Sequence, residues 1–283
     1  DPQASFDLKG KSGISILDET KSSGQQSQDF IMLNTGKAPL NDVTLRTALA
    51  YATDRQKVIS VINFNLTPIS DGPFSNKSSP YYAPTGYPAY NLAKAKQLVQ
   101  QYEQKHGVSS VSFELGTTNV GRNLQYASLL QDMWKQAGIT VTIKQVEQSQ
   151  FILNAVEGSF QAYTWRQFGD PDPDSDYIWW AASTAKPEGA LSLNFARNQD
   201  PQIQADLDKG RTDPNPADRV AAYQDVAKRF AVDIPYLWVN EAVWQIVSNT
   251  HVHGVDSWTL PDGSPGVTHT IGGVFFMDNV WLG

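Results

Sequence analysis

Apolar residues recur along this chain with two periods, and the places where the period switches mark out its elements. Ile14, Ile16 and Leu17 form a short apolar patch in a stretch rich in Ser, Gln, Lys and Gly. They predict an edge strand leading into a turn around Ser22–Gln26. The run Phe30–Leu33 predicts a short buried strand ending at Asn34. Asn41 or Asp42 then precedes Val43, Leu45, Leu49 and Ala52, and Asp54 precedes Val58, Ile59 and Ile62. Both spacings predict N-capped helices. Residues 65–90, dense in Pro, Ser, Gly, Tyr and Asn, read as a long irregular loop. Asn91 opens another helix, which stops at Gly107.

The next stretch carries the clearest signal. Val111–Thr117 alternates as a strand, Asn123–Gln136 is amphipathic, Gly138 ends it, and Ile139–Val146 alternates again. This βαβ pattern implies two parallel strands joined right-handedly. A short helix over Gln148–Val156 and a strand over Phe160–Trp165 follow. Residues 166–200 are mostly loop around Tyr177, Trp179 and Trp180. Helices near 201–210 and 215–232 precede a strand at Tyr236–Val239, and Val243–Gly283 reads as short strands with Gly and Pro turns. The fold class is therefore α/β, with a mixed sheet and helices on both faces.

Composition narrows the chemistry. The chain has 283 residues, 40% of them hydrophobic and 18% charged, enough to build a large core. Net charge is −7 and the basic residues are scattered, so a nucleic-acid partner is not expected. The absence of Cys removes disulfides, thiolate metal sites and a cysteine nucleophile together. No apolar run approaches the roughly 18 residues that span a bilayer. Asp1–Ser5 is not a signal peptide, so a targeting segment, if the protein is exported, lies outside this chain.

The segment from Gly169 to Asp176 sets four carboxylates at every second position. A calcium loop would need Gly and Glu at its sixth and twelfth places. Counting from Asp170 these are Ser175 and Ala181, and from Asp172 they are Tyr177 and Ser183. A rigid turn whose acids cap neighbouring helices fits better. A glycosidase pair using Asp170 or Asp172 would need one raised acid across a cleft, which adjacent acids in a solvated turn do not provide. Lys9–Ser12 resembles the end of a phosphate loop, but its first Gly is Ser5, and His251 and His253 lack a third ligand nearby. No cofactor is expected. The positive signal is aromatic: Tyr163, Trp165, Phe168, Tyr177, Trp179 and Trp180 crowd one strand end and the loop after it. Open α/β sheets bind ligands beyond the carboxyl ends of their strands, which favours Trp165 and the residues that follow.

Asn34-Thr35 and the run Ala38-Pro39-Leu40-Asn41-Asp42-Val43-Thr44-Leu45-Arg46-Thr47-Ala48-Leu49-Ala50-Tyr51-Ala52-Thr53-Asp54-Arg55 resemble the family 5 solute-binding proteins of ABC importers, the dipeptide, oligopeptide and nickel binders. Tyr90–Ala95, Trp134–Ile139 and Trp165 followed by Asp170-Pro171-Asp172 extend the resemblance over about residues 30–260. It implies a type II periplasmic-binding lobe. Residues 1–33 would lead in from a missing N-terminal lobe, 34–236 would form the second ligand-binding lobe, and 237–283 would return toward the first. It also implies a monomer outside the cytoplasm, lipid-anchored when full length, that hands its solute to a membrane permease. Arg46, Asp54 and Arg55 would cap and pair rather than touch ligand.

One departure bears on the ligand. Peptide binders of this family carry an Asp three residues after the Trp that pairs with the ligand's amino group. Phe168 stands there, or Gln167 if the gap is placed otherwise. Neither neutralises an ammonium, and burying an unpaired charge costs several kcal/mol. Unless Asp170 substitutes, a neutral polar solute such as a sugar fits as well as a peptide. The expected ligand contacts are Tyr163, Trp165, Arg166, Gln167, Phe168, Asp170 and Asn194. The aromatics would stack, Gln167 and Asn194 would hydrogen-bond, and Asp170 would supply charge. The rival readings are a carbohydrate-active enzyme using Asp170 or Asp172 and a chaperone-like peptide-binding module.

Overall fold

A Ser-, Gln- and Gly-rich segment separates two strands that belong to different sheets. In the computed structural model, which describes residues 2–18, 27–167, 172–255, 259–265 and 277–283, α1 (Pro2–Leu8) leads to β1 (Ile14–Asp18). β1 pairs antiparallel with β7 (Gln245–Asn249). Between them the chain builds a five-stranded mixed sheet in the order β4-β3-β5-β2-β6. Its strands are β2 (Gln28–Leu33), β3 (Val111–Thr118), β4 (Ile139–Val146), β5 (Ala162–Gln167) and β6 (Tyr236–Glu241). β3 runs parallel to β4 and β5, while β2 runs antiparallel to both of its neighbours. The chain enters this sheet on β2 and leaves it on β6. The turn expected around Ser22–Gln26 lies outside the described residues, apart from which β8 (Val252–His253) and β9 (Trp281–Leu282) form a last antiparallel pair.

The helices begin where short polar side chains can accept from free amides. Asp42 caps α2 (Val43–Ala52), Asp54 caps α3 (Arg55–Ile62), and Asn91 caps α4 (Leu92–His106), which ends at Gly107 with φ 65°. α5 (Gly121–Gln136) has no side-chain cap, and α6 (Gln148–Glu157) is capped by Glu147. α8 (Pro201–Thr212) and α9 (Pro216–Asp233) each combine a cap, Asp200 or Asn215, with a Pro at the first turn. Between β5 and α8 the expected loop holds one short helix, α7 (Tyr177–Trp180), flanked by 3-10 turns.

Strand alternation sorts the core onto two faces. On one, Phe113 meets Trp134 of α5 with ring centroids 5.8 Å apart, and Thr164 donates to Thr117 at 3.0 Å. On the other, Phe30, Tyr236 and Trp238 cluster with Phe230 of α9, and Tyr163 stacks on Phe151 of α6 at 4.0 Å. Gly116 is required here, because a Cβ would lie 2.1 Å from the Tyr163 ring. β2 and β6 contribute residues 28–33 and 236–241 to this sheet. A short apolar run does not reveal from sequence which sheet it will join.

The helical motif run is structural. Arg46, 4% exposed, donates to the Leu40 carbonyl, the Asp233 carbonyl and the Asp233 carboxylate. Arg55 donates to the carbonyls of Ser70 and Pro88. Burial alone would raise the Asp42 carboxyl, but hydrogen bonds from His106, Lys105 and Thr44 outweigh it and hold the group well below the usual range.

Glu241, the last residue of β6, behaves in the opposite way. Burial, and then the nearby Asp71 charge, push its carboxyl up to about 7. A carboxyl raised in the folded state contributes stability that is present below its unfolded value near 4.5 and lost as pH rises through about 7. Glu241→Gln is therefore expected to raise the unfolding free energy at pH 8 by about 1–2 kcal/mol and to change little at pH 4. Urea denaturation at both pH values checks this, and equal effects at the two would contradict it.

Candidate functional site

Where β3, β5 and β6 end, α3, α5 and α6 stand apart and leave a cavity of about 400 Å³. Its lining includes Asp29, Asn63, Thr118, Arg122, Asn123, Tyr126, Phe151, Trp165, Arg166 and Asn240. This is the carboxyl-end position at which open α/β sheets place ligands.

One carboxylate organises the floor. Asp29 on β2 stands opposite Arg166 on β5 and receives both Nε (2.6 Å) and Nη2 (3.0 Å). The Asp29 charge outweighs the effect of burial and raises the Arg166 guanidinium. On the other side of β2 the register shifts by one between Asp29 and Phe30, so that Trp238 pairs with Phe30 and Asn240 with Asp29. That bulge turns Asn240 onto the cavity face, where its Nδ2 donates to Asp29 at 3.0 Å. Asn63 at the end of α3 donates to Asn240 at 3.0 Å, and Arg122 in the first turn of α5 donates to Asn63. Five side chains from α3, α5, β2, β5 and β6 thus form one chain of hydrogen bonds. Arg166 also lies 5.3 Å from the centroid of the Trp244 ring.

The expected ligand contacts fall into different positions. Trp165 is half-buried, stacked on Phe151 at 5.3 Å and edge-on to Phe195 at 5.5 Å. It also borders an apolar slot of about 190 Å³ formed with Met32, Leu193, Trp179, Phe195 and Tyr236. Arg166 lines both spaces, but its charge is already paired with Asp29. Tyr163 is buried between Phe151 and Phe160, beneath Trp165, and its hydroxyl accepts from Asn154. Gln167 donates to Asp176 at 2.6 Å and accepts from Trp180 at 3.3 Å. Asn194 lies in another setting: fully buried, it donates to the carbonyls of Trp180, Ala181 and Asn198 and ties the loop before α8 together. Phe168 and Asp170 lie outside the described residues.

Of the acidic segment, Asp172 and Asp174 are held by cations. Asp172 caps the turn at Pro173–Asp176 and pairs with Arg219, while Asp174 pairs with Arg211 at 2.7 Å. Burial would raise the Asp172 carboxyl, but its hydrogen bond from Arg219 lowers it, the reverse of what a general acid requires. Among the described residues no three potential metal ligands converge, and no helix is long and apolar enough to cross a membrane.

Sequence reasoning missed Asp29, Asn63, Arg122, Tyr126 and Asn240. One signal was available: a charged residue abutting the buried run Phe30–Leu33 must find a partner inside. Truncating that partner has a measurable cost. Arg166→Met strands Asp29 and is expected to lower stability by about 2 kcal/mol, reduced from the fully buried case by partial exposure. Adding Asp29→Asn should recover much of the loss in urea denaturation. Equal stability of wild type and single variant would contradict the assignment.

The fold and the chain have known counterparts. The curated glutathione-binding protein of Pectobacterium atrosepticum is 24% identical over 248 residues, 82% of this chain and 45% of that protein. The nickel-binding periplasmic protein of Escherichia coli is 25% identical over 242 residues, 80% of this chain and 45% of that protein. The chain thus spans less than half the length of these relatives. A periplasmic binding protein of Helicobacter pylori solved with the peptide STSA superposes with TM-score 0.81 at 21% identity, over 99% of this chain and 51% of that one. The oligopeptide-binding protein of Bacillus subtilis solved with a nonapeptide gives 0.79 at 18% identity, over 100% and 55%. These likenesses establish the type II periplasmic-binding fold. The model of the bacterial extracellular solute-binding proteins, family 5, matches residues 1–188, and the chain belongs to that family.

Proposed function

We propose that this chain provides a ligand-binding lobe of the extracytoplasmic solute-binding component of an ABC importer. It captures a small polar solute, a peptide or an oligosaccharide, and delivers it to the membrane permease without transforming it. The carrying observation is the cavity at the strand ends, whose polar groups converge from three helices and four strands around an aromatic wall. Such concave sites with a few convergent polar groups are where small ligands bind. The names of the relatives, glutathione-binding and nickel-binding among them, support solute capture. In this reading Trp165 forms the stacking wall, Tyr163 supports it from beneath, and Arg166 with Asp29 fixes the floor. Gln167 closes the strand end, and Asn194 organises the adjoining loop without touching ligand. The protein acts as a monomer outside the cytoplasm, lipid-anchored when full length. Capture proceeds by closure around the solute, which shifts an equilibrium between open and closed forms.

A thermal-shift panel of di- and tripeptides, glutathione, nickel–histidine and oligosaccharides tests this directly. A solute present at about 100 times its Kd should stabilise the protein by about 2.7 kcal/mol. Trp165→Ala should weaken that solute about tenfold, in line with loss of an aromatic contact. A silent panel, or turnover of a glycoside that depends on Asp172, would overturn the proposal.

A further inference from the structure

Where the chain enters and leaves the main sheet, two side chains face each other and each lacks what the other can supply. Gln28 opens β2 and Glu241 closes β6, and the two are paired in register, so their side chains share one face. Gln28 is 2% exposed, and its Oε1 is shut away from solvent with no donor. On its other side Gln28 pairs with Gln167, whose amide is taken up by Asp176 and Trp180. Among the described residues the Glu241 carboxyl receives no hydrogen bond, and the charge set toward it is that of Asp71. Asp71 follows a segment that runs along the free edge of β6, bonded to it through Pro68 and Ser70. Arg55 reaches this segment from α3 but donates to the carbonyls of Ser70 and Pro88. Burial, and then Asp71, push the Glu241 carboxyl up to about 7. A carboxylate only accepts hydrogen bonds, whereas a protonated carboxyl carries an O–H donor. Protonation of Glu241 therefore removes a buried charge and provides the donor that Oε1 of Gln28 lacks.

We infer that Glu241 is a proton-binding site whose O–H closes onto Oε1 of Gln28, pinning together the two strands that connect the five-stranded sheet to β1 and β7. The next pair outward continues the clamp, since the Ala242 amide donates to the Ser27 carbonyl at 2.9 Å. The next pair inward, Asp29 and Asn240, points to the opposite face and forms the floor of the cavity. The pin thus lies directly behind that floor, with or without a bound solute. Because the folded state raises this carboxyl, the proton is held below pH 7 and released as pH rises through that value. The two connections are firm in acid and loosened in alkali.

Two measurements on the solute-free protein test this. A 13C titration of the glutamate side chains, with Glu241 assigned through Glu241→Gln, should give a midpoint near 7. Gln28→Leu should lower that midpoint by about one pH unit, because the neutral form loses its acceptor. Making the site more apolar acts in the other direction, so a fall can come only from the lost hydrogen bond. In the second measurement, hydrogen exchange of the Ala242 amide is followed at pH 5.5 and pH 8.5 and corrected for the intrinsic rate. Its protection should drop about tenfold at the higher pH in the wild type. In Glu241→Gln, whose amide donates at every pH, it should stay constant. A midpoint that is unchanged or raised in Gln28→Leu overturns the inference, and so does protection of Ala242 that is independent of pH in the wild type. Circular dichroism verifies the fold of both variants, and if Gln28→Leu does not fold, the exchange comparison decides alone. None of these outcomes bears on solute capture.

Discussion

Asp29 is a carboxylate set into an inner strand of a hydrophobic sheet, and the end of that sheet is arranged around neutralising it. The residues that follow it, Phe30 to Leu33, are buried, so β2 cannot move aside to carry the charge into water. Arg166 must therefore come from β5 and Asn240 from β6, and the bulge in β6 exists at the one place where it turns Asn240 toward Asp29. Breaking such a pair is far more costly than its net worth, which makes the arrangement rigid rather than merely favourable. β2 and β6 are also the strands by which the chain enters and leaves this sheet. The floor of the cavity is thus fixed to both crossing points.

The family's long sequence run serves a different purpose from the site. Arg46 joins the start of α2 to the end of α9 through Asp233, and Asp42 joins it to the end of α4 through Lys105 and His106. Trp134 donates to Thr53 and fastens α5 beneath α2. The contacts among α2, α4 and α5 hold these helices in register on one face, which places α3 and α5 at the spacing that leaves the cavity open, while Arg46 ties that face to α9 on the other. On the other face the acids of residues 172–176 fasten the segment after β5 to α8 and α9 through Arg211 and Arg219. The two faces meet at Trp165, which borders the polar cavity on one side and the apolar slot on the other.

Much of the fold was legible because its signals are local. Asp54, Asn91 and Gly107 mark helix ends by chemistry that acts within four residues, and the βαβ unit is written in a change of period. The sheet that β2 joins was not, since Phe30–Leu33 reads as buried strand whatever sheet it joins. The site was half legible. Trp165 and Arg166 follow from the rule about strand ends, but the same rule applied to β3 would have reached Thr118 and Arg122. The helix there was expected to begin at Asn123, which left Arg122 in the preceding turn. Asn240 could not be found at all, because its direction depends on a bulge created by pairing with a strand some 210 residues earlier.

The direct measurement is a 1H–15N spectrum of the protein, with the tryptophan indole and backbone amide signals followed during titration with a solute that binds. Binding at the strand-end cavity predicts that the Trp165 indole and the amides near Arg122 shift, while the indole of Trp134, bonded to Thr53 in the core, stays in place. A second cavity, of about 540 Å³, lies at the opposite end of the sheet beside Asn34, Lys37 and Arg197. Shifts confined to residues 34–37 and 197–200, with Trp165 unmoved, would contradict the account.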